Sequence, residues 1–102
     1  MNAVYCIASF NPMEWSEALL WKNLNEVQKM NNEPWCELYV PTVQINNKYA
    51  PGDIGYMYTF IEKFKSEEDF NNHCEEWYIK KFFADNESII KERNICLFRA
   101  FN

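Results

Sequence analysis

Between positions 3 and 10 the chain carries an unbroken run of small, β-branched and aromatic residues, closed by the turn-forming pair Asn11-Pro12. A short apolar run bounded in this way reads as a buried strand. The period then changes. Trp15, Leu19, Leu20, Leu24, Val27 and Met30 recur at helical spacing, with Glu17, Lys22, Asn25 and Lys29 on the other side, which predicts an amphipathic helix over 13–30. Pro12 suits its start. Asn31-Asn32-Glu33-Pro34 ends it, because the residue before a proline is pushed out of the helical region.

A second strand is predicted over 35–43, with Cys36, Leu38, Val40 and Thr42 on one face and Trp35, Glu37, Tyr39 and Val43 on the other. Pro41 lacks a backbone donor and belongs near the strand's end or on a sheet edge. The polar stretch 44–50 reads as a loop. A third strand over 53–61 alternates Ile54, Tyr56, Tyr58 and Phe60 against Gly55, Met57, Thr59 and Ile61, making a long-looped hairpin with the second. Ser66-Glu67-Glu68-Asp69 is a helix start: Ser66 can cap the backbone, Asp69 can reciprocate, and three carboxylates face the positive end of the dipole. Phe70, Cys74 and Trp77 continue one apolar face. Two courses stay open beyond it: helix to about residue 83, or an extra strand over 77–83. Residues 85–93 read as a short helix or turn with Ile89 and Ile90 inward, and 95–101 as a final strand. The order is βαββαβ: an α+β, ferredoxin-like plan over a single domain, 1–102, with helices on one face of an antiparallel sheet.

Composition narrows the function classes. The 102 residues suffice for one modest core. A hydrophobic share of 48%, with eight Phe, six Tyr and four Trp, excludes a disordered chain and exceeds what so small an interior encloses. Some aromatics are therefore expected on a partner surface. Two glycines leave no glycine-rich phosphate cradle. A net charge of −5 is the wrong sign for gripping a nucleic-acid backbone, so nucleic acid is expected to be touched only weakly or indirectly. Lys63, Lys65, Lys80 and Lys81 read as solvated surface. No apolar run is long enough for a bilayer and no basic leader precedes the first strand, so no membrane contact is expected and the chain reads as cytoplasmic. Cys6, Cys36, Cys74 and Cys96 form no CxxC pair and read as small apolar fillers in a reducing compartment. A zinc site with His73 is not expected, since paired ligand spacing is missing.

Candidate chemistry is sparse. His73 and Cys74 are neighbours on a predicted helix and point about 100° apart, so they are not arranged to pair. The reading is an exposed histidine beside a buried thiol. Glu67, Glu68, Asp69, Glu75 and Glu76 are a candidate acidic cluster, but capping and the dipole explain the first three. No Walker loop, dinucleotide fingerprint or zinc-protease motif occurs. No enzyme activity, cofactor or metal is expected.

Three stretches carry a resemblance. Val4-Tyr5-Cys6-Ile7-Ala8-Ser9-Phe10 leads into the first helix, Glu37-Leu38-Tyr39-Val40-Pro41-Thr42 matches a strand of the E-x-x-V-P-T kind, and Tyr49-Ala50-Pro51-Gly52 matches an aromatic-Pro-Gly strand opening. Over residues 3–61 the chain resembles the N-terminal domain of NusG/RfaH-type transcription elongation factors, without their KOW domain. The resemblance implies a transcription regulator, an elongation or antitermination factor or a phage-type competitor of one; the oligomeric state stays open, with a monomer favoured. Its partner would be RNA polymerase, docked at the clamp helices through a patch to which Val4, Phe10, Tyr39, Tyr49, Ala50 and Tyr56 contribute. Val4 and Ala50 stand where the family commonly has aromatics, which shrinks the patch. The alternative is a small acidic ferredoxin-like inhibitor of another host complex, such as a defence nuclease, with the acidic helix imitating a nucleic-acid backbone.

Overall fold

The opening apolar run forms β1, Val4–Pro12. It is the first element of a computed structural model that describes residues 2–101. Val4, Cys6, Ala8 and Phe10 are buried, and the alternate residues face the other way. A 3-10 turn, Glu14–Ser16, separates β1 from α1, Glu17–Met30, so the predicted helix begins four residues later than its apolar period suggested. The buried Ser16 hydroxyl causes the delay. Its single proton is shared between the carbonyls of Met13 (2.9 Å) and Ile89 (3.1 Å), tying this corner to the turn before the last strand. Leu20, Leu24 and Val27 form the buried stripe of α1; Trp15, Leu19 and Met30, expected there, are exposed. The helix ends at Asn31, whose side-chain oxygen accepts from the Glu33 backbone N–H (3.0 Å).

β2, Cys36–Thr42, pairs with β3, Tyr58–Phe64, and an irregularity between Cys36 and Leu38 resets the alternation. Beyond it Tyr39 lies opposite Glu62 on the helix-facing side, while Leu38, Val40 and Thr42 turn to the open side. The third strand was expected over 53–61. It starts five residues later because Gly55 sits at φ 79°, a left-handed conformation that suits glycine and ends extended pairing, and the Asp53 side chain accepts from the Gly55 N–H (2.8 Å). Residues 43–57 thus form an ordered arm. Gln44 bridges the Gly52 carbonyl and the Ile54 N–H, and Asn11 of β1 bridges Gly55 (3.0 Å) and Met57 (2.8 Å).

Ser66 caps α2, Glu67–Glu75, by accepting from the Asp69 N–H (3.1 Å). The open question over 77–83 resolves as helix. After a break at Glu76, in extended conformation, α3 runs Trp77–Asn86 and β4 follows as Ile90–Arg99. No proline or glycine marks that break. Ile89 is buried and Ile90 partly so, as expected, but the turn spans only 87–89, and β4 begins at Ile90, five residues before the strand expected from 95.

The sheet order is β2-β3-β1-β4, all neighbours antiparallel, with the helices on one side. This is the expected ferredoxin-like plan. The described residues measure 40 × 39 × 19 Å, the thickness of one helix layer on one sheet, so no second layer packs on the opposite face of the sheet.

Candidate functional site

The interface between sheet and helices is not wholly apolar. Glu33 from the α1–β2 turn, Glu62 from β3, His73 from α2 and Tyr78 from α3 converge there, exposed by 6, 4, 4 and 5%. The expectation of an exposed His73 beside a buried thiol is reversed: His73 is buried and Cys74 exposed. The helical period was read across Glu76 as one face, Phe70-Cys74-Trp77. Because α2 stops at Glu75, its core-facing side is instead Phe70 and His73, and Trp77 is left in solvent.

Glu33 organises the group. His73 Nδ1 lies 2.9 and 3.1 Å from its two oxygens, Trp35 Nε1 donates to it at 3.0 Å, and the Tyr78 hydroxyl donates to the oxygen nearer the histidine. Accepting from three donors is the pattern of a carboxylate, and it places the imidazole proton on Nδ1. Nε2 then carries a lone pair. It makes no hydrogen bond among the described residues and lies 3.9 Å from Glu62 Oε1. The rings of Tyr39 and Phe64 fix the imidazole, with centroids 5.1 and 4.9 Å away.

Glu62 is the electrostatic opposite of Glu33. Burial pushes its carboxyl up to about 8, the Cys6 thiol against it opposes that rise and the Glu33 charge adds to it. At neutral pH it therefore holds a proton. Burial likewise pushes the Tyr39 and Tyr78 hydroxyls and the Cys6 thiol above their ordinary ranges, so they stay neutral. His73 and Glu62 face a cavity of about 40 Å³ lined otherwise by the Cys6 thiol, Tyr39 and apolar side chains including Ala8, Phe60, Ile79 and Phe82. A histidine base and a protonated acid thus share one small apolar chamber. Among the described residues no group of three His, Cys, Asp or Glu side chains is placed to hold a metal ion, and no helix is long and apolar enough to cross a membrane.

The six residues expected to form a partner patch do not come together. Val4 and Phe10 are core residues, and Tyr39 stacks on Phe60 (4.7 Å) facing the helices. Tyr49, 84% exposed, and Ala50 lie out on the arm, and Tyr56 is half-buried near its base. Sequence reading missed Glu33, Glu62 and Tyr78. A signal existed for Glu62, a lone carboxylate in the inward series Tyr58, Phe60, Glu62, Phe64, but it fell beyond the predicted strand end. Glu33 had none, being one polar residue in a polar turn.

No family model matches the chain, and no curated protein matches it in sequence. Solved structures do match over nearly the whole length. A ferredoxin-like DABB family protein from Mesorhizobium loti has a TM-score of 0.79 at 13% identity, covering 100% of both chains. A protein from Caulobacter crescentus described as a candidate antibiotic biosynthesis monooxygenase has a TM-score of 0.79 at 17% identity, covering 99% of this chain and 92% of its own. A dimeric protein of unknown function from Bacteroides fragilis, also ferredoxin-like, has a TM-score of 0.77 at 9% identity, covering 98% of each. At these identities the likeness shows the fold. It overturns the resemblance to NusG-type domains, because the matching structures carry DABB and monooxygenase descriptions instead. The three stretches that carried that resemblance report a strand–helix–strand–strand order that ferredoxin-like chains share, with a few apolar and turn residues set by strand chemistry. The polymerase-binding expectation rested on that resemblance and loses its support.

Proposed function

We propose that the chain is a small enzyme that moves a proton on an apolar, ring-bearing substrate, with His73 as base and Glu62 as acid. The observation that carries this reading is the unpaired Nε2 of a buried, carboxylate-oriented histidine, 3.9 Å from a carboxyl that burial keeps protonated. A substrate edge lying against both atoms, on the chamber side, can lose a proton from C–H or O–H to Nε2 while its carbonyl oxygen accepts a hydrogen bond from Glu62. Glu33 holds the tautomer and stabilises the imidazolium that forms. The apolar walls exclude water, which strengthens both interactions. The monooxygenase description of the Caulobacter crescentus protein is compatible with such an activated substrate.

The test is deuterium incorporation from solvent into a panel of cyclic ketones and hydroxylated aromatics, followed by NMR, with oxygen uptake measured in parallel. His73→Asn is expected to lower exchange by about 100-fold or more. Exchange at the wild-type rate in a folded His73→Asn protein would remove the reading.

We further propose that two copies pack through their open sheet faces. Ile7, Val40 and Ile61 form an apolar row there, with Tyr5, Leu38 and Phe98 beside it and Lys63 between Tyr5 and Leu38. A face of four strands about 4.8 Å apart, some seven residues long at ~3.3 Å each, covers on the order of 450 Å². That is roughly half of the ~800 Å² per partner in a standard interface. The arm, with Ile45 75% and Tyr49 84% exposed, can supply the rest by lying across the second copy. Light scattering should give twice the 12.3 kDa chain mass, and the cross-strand pair Val40→Lys with Ile61→Lys should return it to one. A wild-type chain that stays at 12.3 kDa at high protein concentration would contradict this.

A further inference from the structure

The helix layer stops short of β4. Its inward row is Arg93, Ile95, Leu97 and Arg99, opposite Phe10, Ala8, Cys6 and Val4 of β1. Those β1 partners are at most 5% exposed, yet Ile95 and Leu97 on the same side of the sheet are exposed by 45% and 38%. An apolar shelf therefore lies open beside the buried chamber. Ile95 and Phe83 are part of the chamber wall, so the shelf is continuous with it. At about 40 Å³ the chamber holds little more than the ~30 Å³ share of one water, so only the reacting edge of a ligand fits inside. The rest of its body must lie along the shelf.

One end of the shelf is charged. The Arg93 guanidinium stacks on the Phe83 ring, 4.8 Å from its centroid, and makes no ion pair among the described residues. On its outer side it borders an open groove of about 440 Å³ together with Lys91, Glu87 and Glu92. A cation without a carboxylate partner, in a chain of net charge −5 and set against an aromatic wall of the chamber, is placed to receive an anion.

We infer that the ligand of this site is an amphipathic monoanion. Its apolar body lies between α3 and β4 along Ile95, one edge reaches His73, and its carboxylate or equivalent anion pairs with Arg93. This deepens the acid–base reading above and rests on it. Ile95 and Arg93 are two residues apart on one strand face, about 6.6 Å, the span of an aromatic ring system.

Calorimetric titration with naphthoate and with its neutral methyl ester tests the assignment. Arg93→Gln should weaken naphthoate at least tenfold and leave the ester unchanged. Ile95→Asp should weaken both, and Lys22→Gln, on the exposed side of α1, neither. Arg93→Lys, which keeps the charge, should retain part of the naphthoate affinity and guards against a folding defect in the glutamine variant. Equal affinity of acid and ester, naphthoate binding indifferent to Arg93→Gln, or no binding of either probe would overturn the anion site. If His73-dependent exchange persists in any of those cases, the acid–base reading stands alone. If exchange is independent of His73, that reading falls first.

Discussion

Replacing Glu33 by alanine is expected to destabilise the fold by about 3–5 kcal/mol. The side chain is 3% exposed and accepts from His73 Nδ1, Trp35 Nε1 and the Tyr78 hydroxyl. Truncation leaves these donors without an acceptor in a dry interior, and that desolvation cost outweighs the loss of a few methylene contacts. For a domain of this size each 1 kcal/mol moves the melting temperature by roughly 4–8 °C, so a fall well above 10 °C is the expected order. Glu33→Gln keeps one acceptor oxygen and should fall between wild type and alanine. The exposed ion pair Lys22–Glu26 (4.0 Å) is the control, because breaking it should cost under about 0.5 kcal/mol. Urea unfolding followed by circular dichroism measures all three. A Glu33→Ala protein within ~1 kcal/mol of wild type would mean that the turn relaxes to rehydrate these donors.

The second large effect is on the pH dependence of stability. The Glu62 carboxyl titrates near 8 in the folded protein, against an ordinary value of 4.5, with burial as the main cause. Between those two values the folded state holds a proton that the unfolded chain has released. Stability from this group is therefore complete below about pH 4.5 and is lost as pH rises through about 8. The loss approaches ~1.4 kcal/mol per pH unit within the window, a few kcal/mol in all. The groups facing Glu62 are the Cys6 thiol of β1, Tyr39 of β2, Glu33 of the α1–β2 turn and His73 of α2. Burial keeps the thiol and the tyrosine neutral throughout, so neither offsets the trend. Glu62→Gln, which is neutral at every pH, should be more stable than wild type above pH 8 and should flatten the profile. Unfolding curves for both proteins from about pH 5 to pH 9 test this, and parallel profiles would contradict it.

The strand and helix order was legible because it depends on local period. The inward residues of β1, the stop at Asn31 and the Ser66 cap are set by neighbours a few positions away. The errors share one character. The third strand was placed five residues too early because Gly55, inside an alternating apolar pattern, takes a left-handed conformation. Cys36 was put on the face of Leu38 because an irregularity in strand pairing leaves no mark in the pattern. His73 was turned outward because the break at Glu76 carries neither proline nor glycine. The last two shift a residue from one face to another, and polar residues on a core face carry the candidate chemistry.

By itself, then, the sequence determined the βαββαβ plan, the acidic surface and an apolar content too large for one small interior. Those follow from periodicity, capping and composition, which are properties of short segments. The site was decided only by tertiary structure. Glu33 and His73 are 40 residues apart and Glu33 and Tyr78 are 45 apart, and no local preference links them. They meet because α2 stops at Glu75 and the α1–β2 turn folds Glu33 under it. Two glutamates of one residue type thus end as a hydrogen-bonded carboxylate and a protonated acid, a difference made by partners and burial.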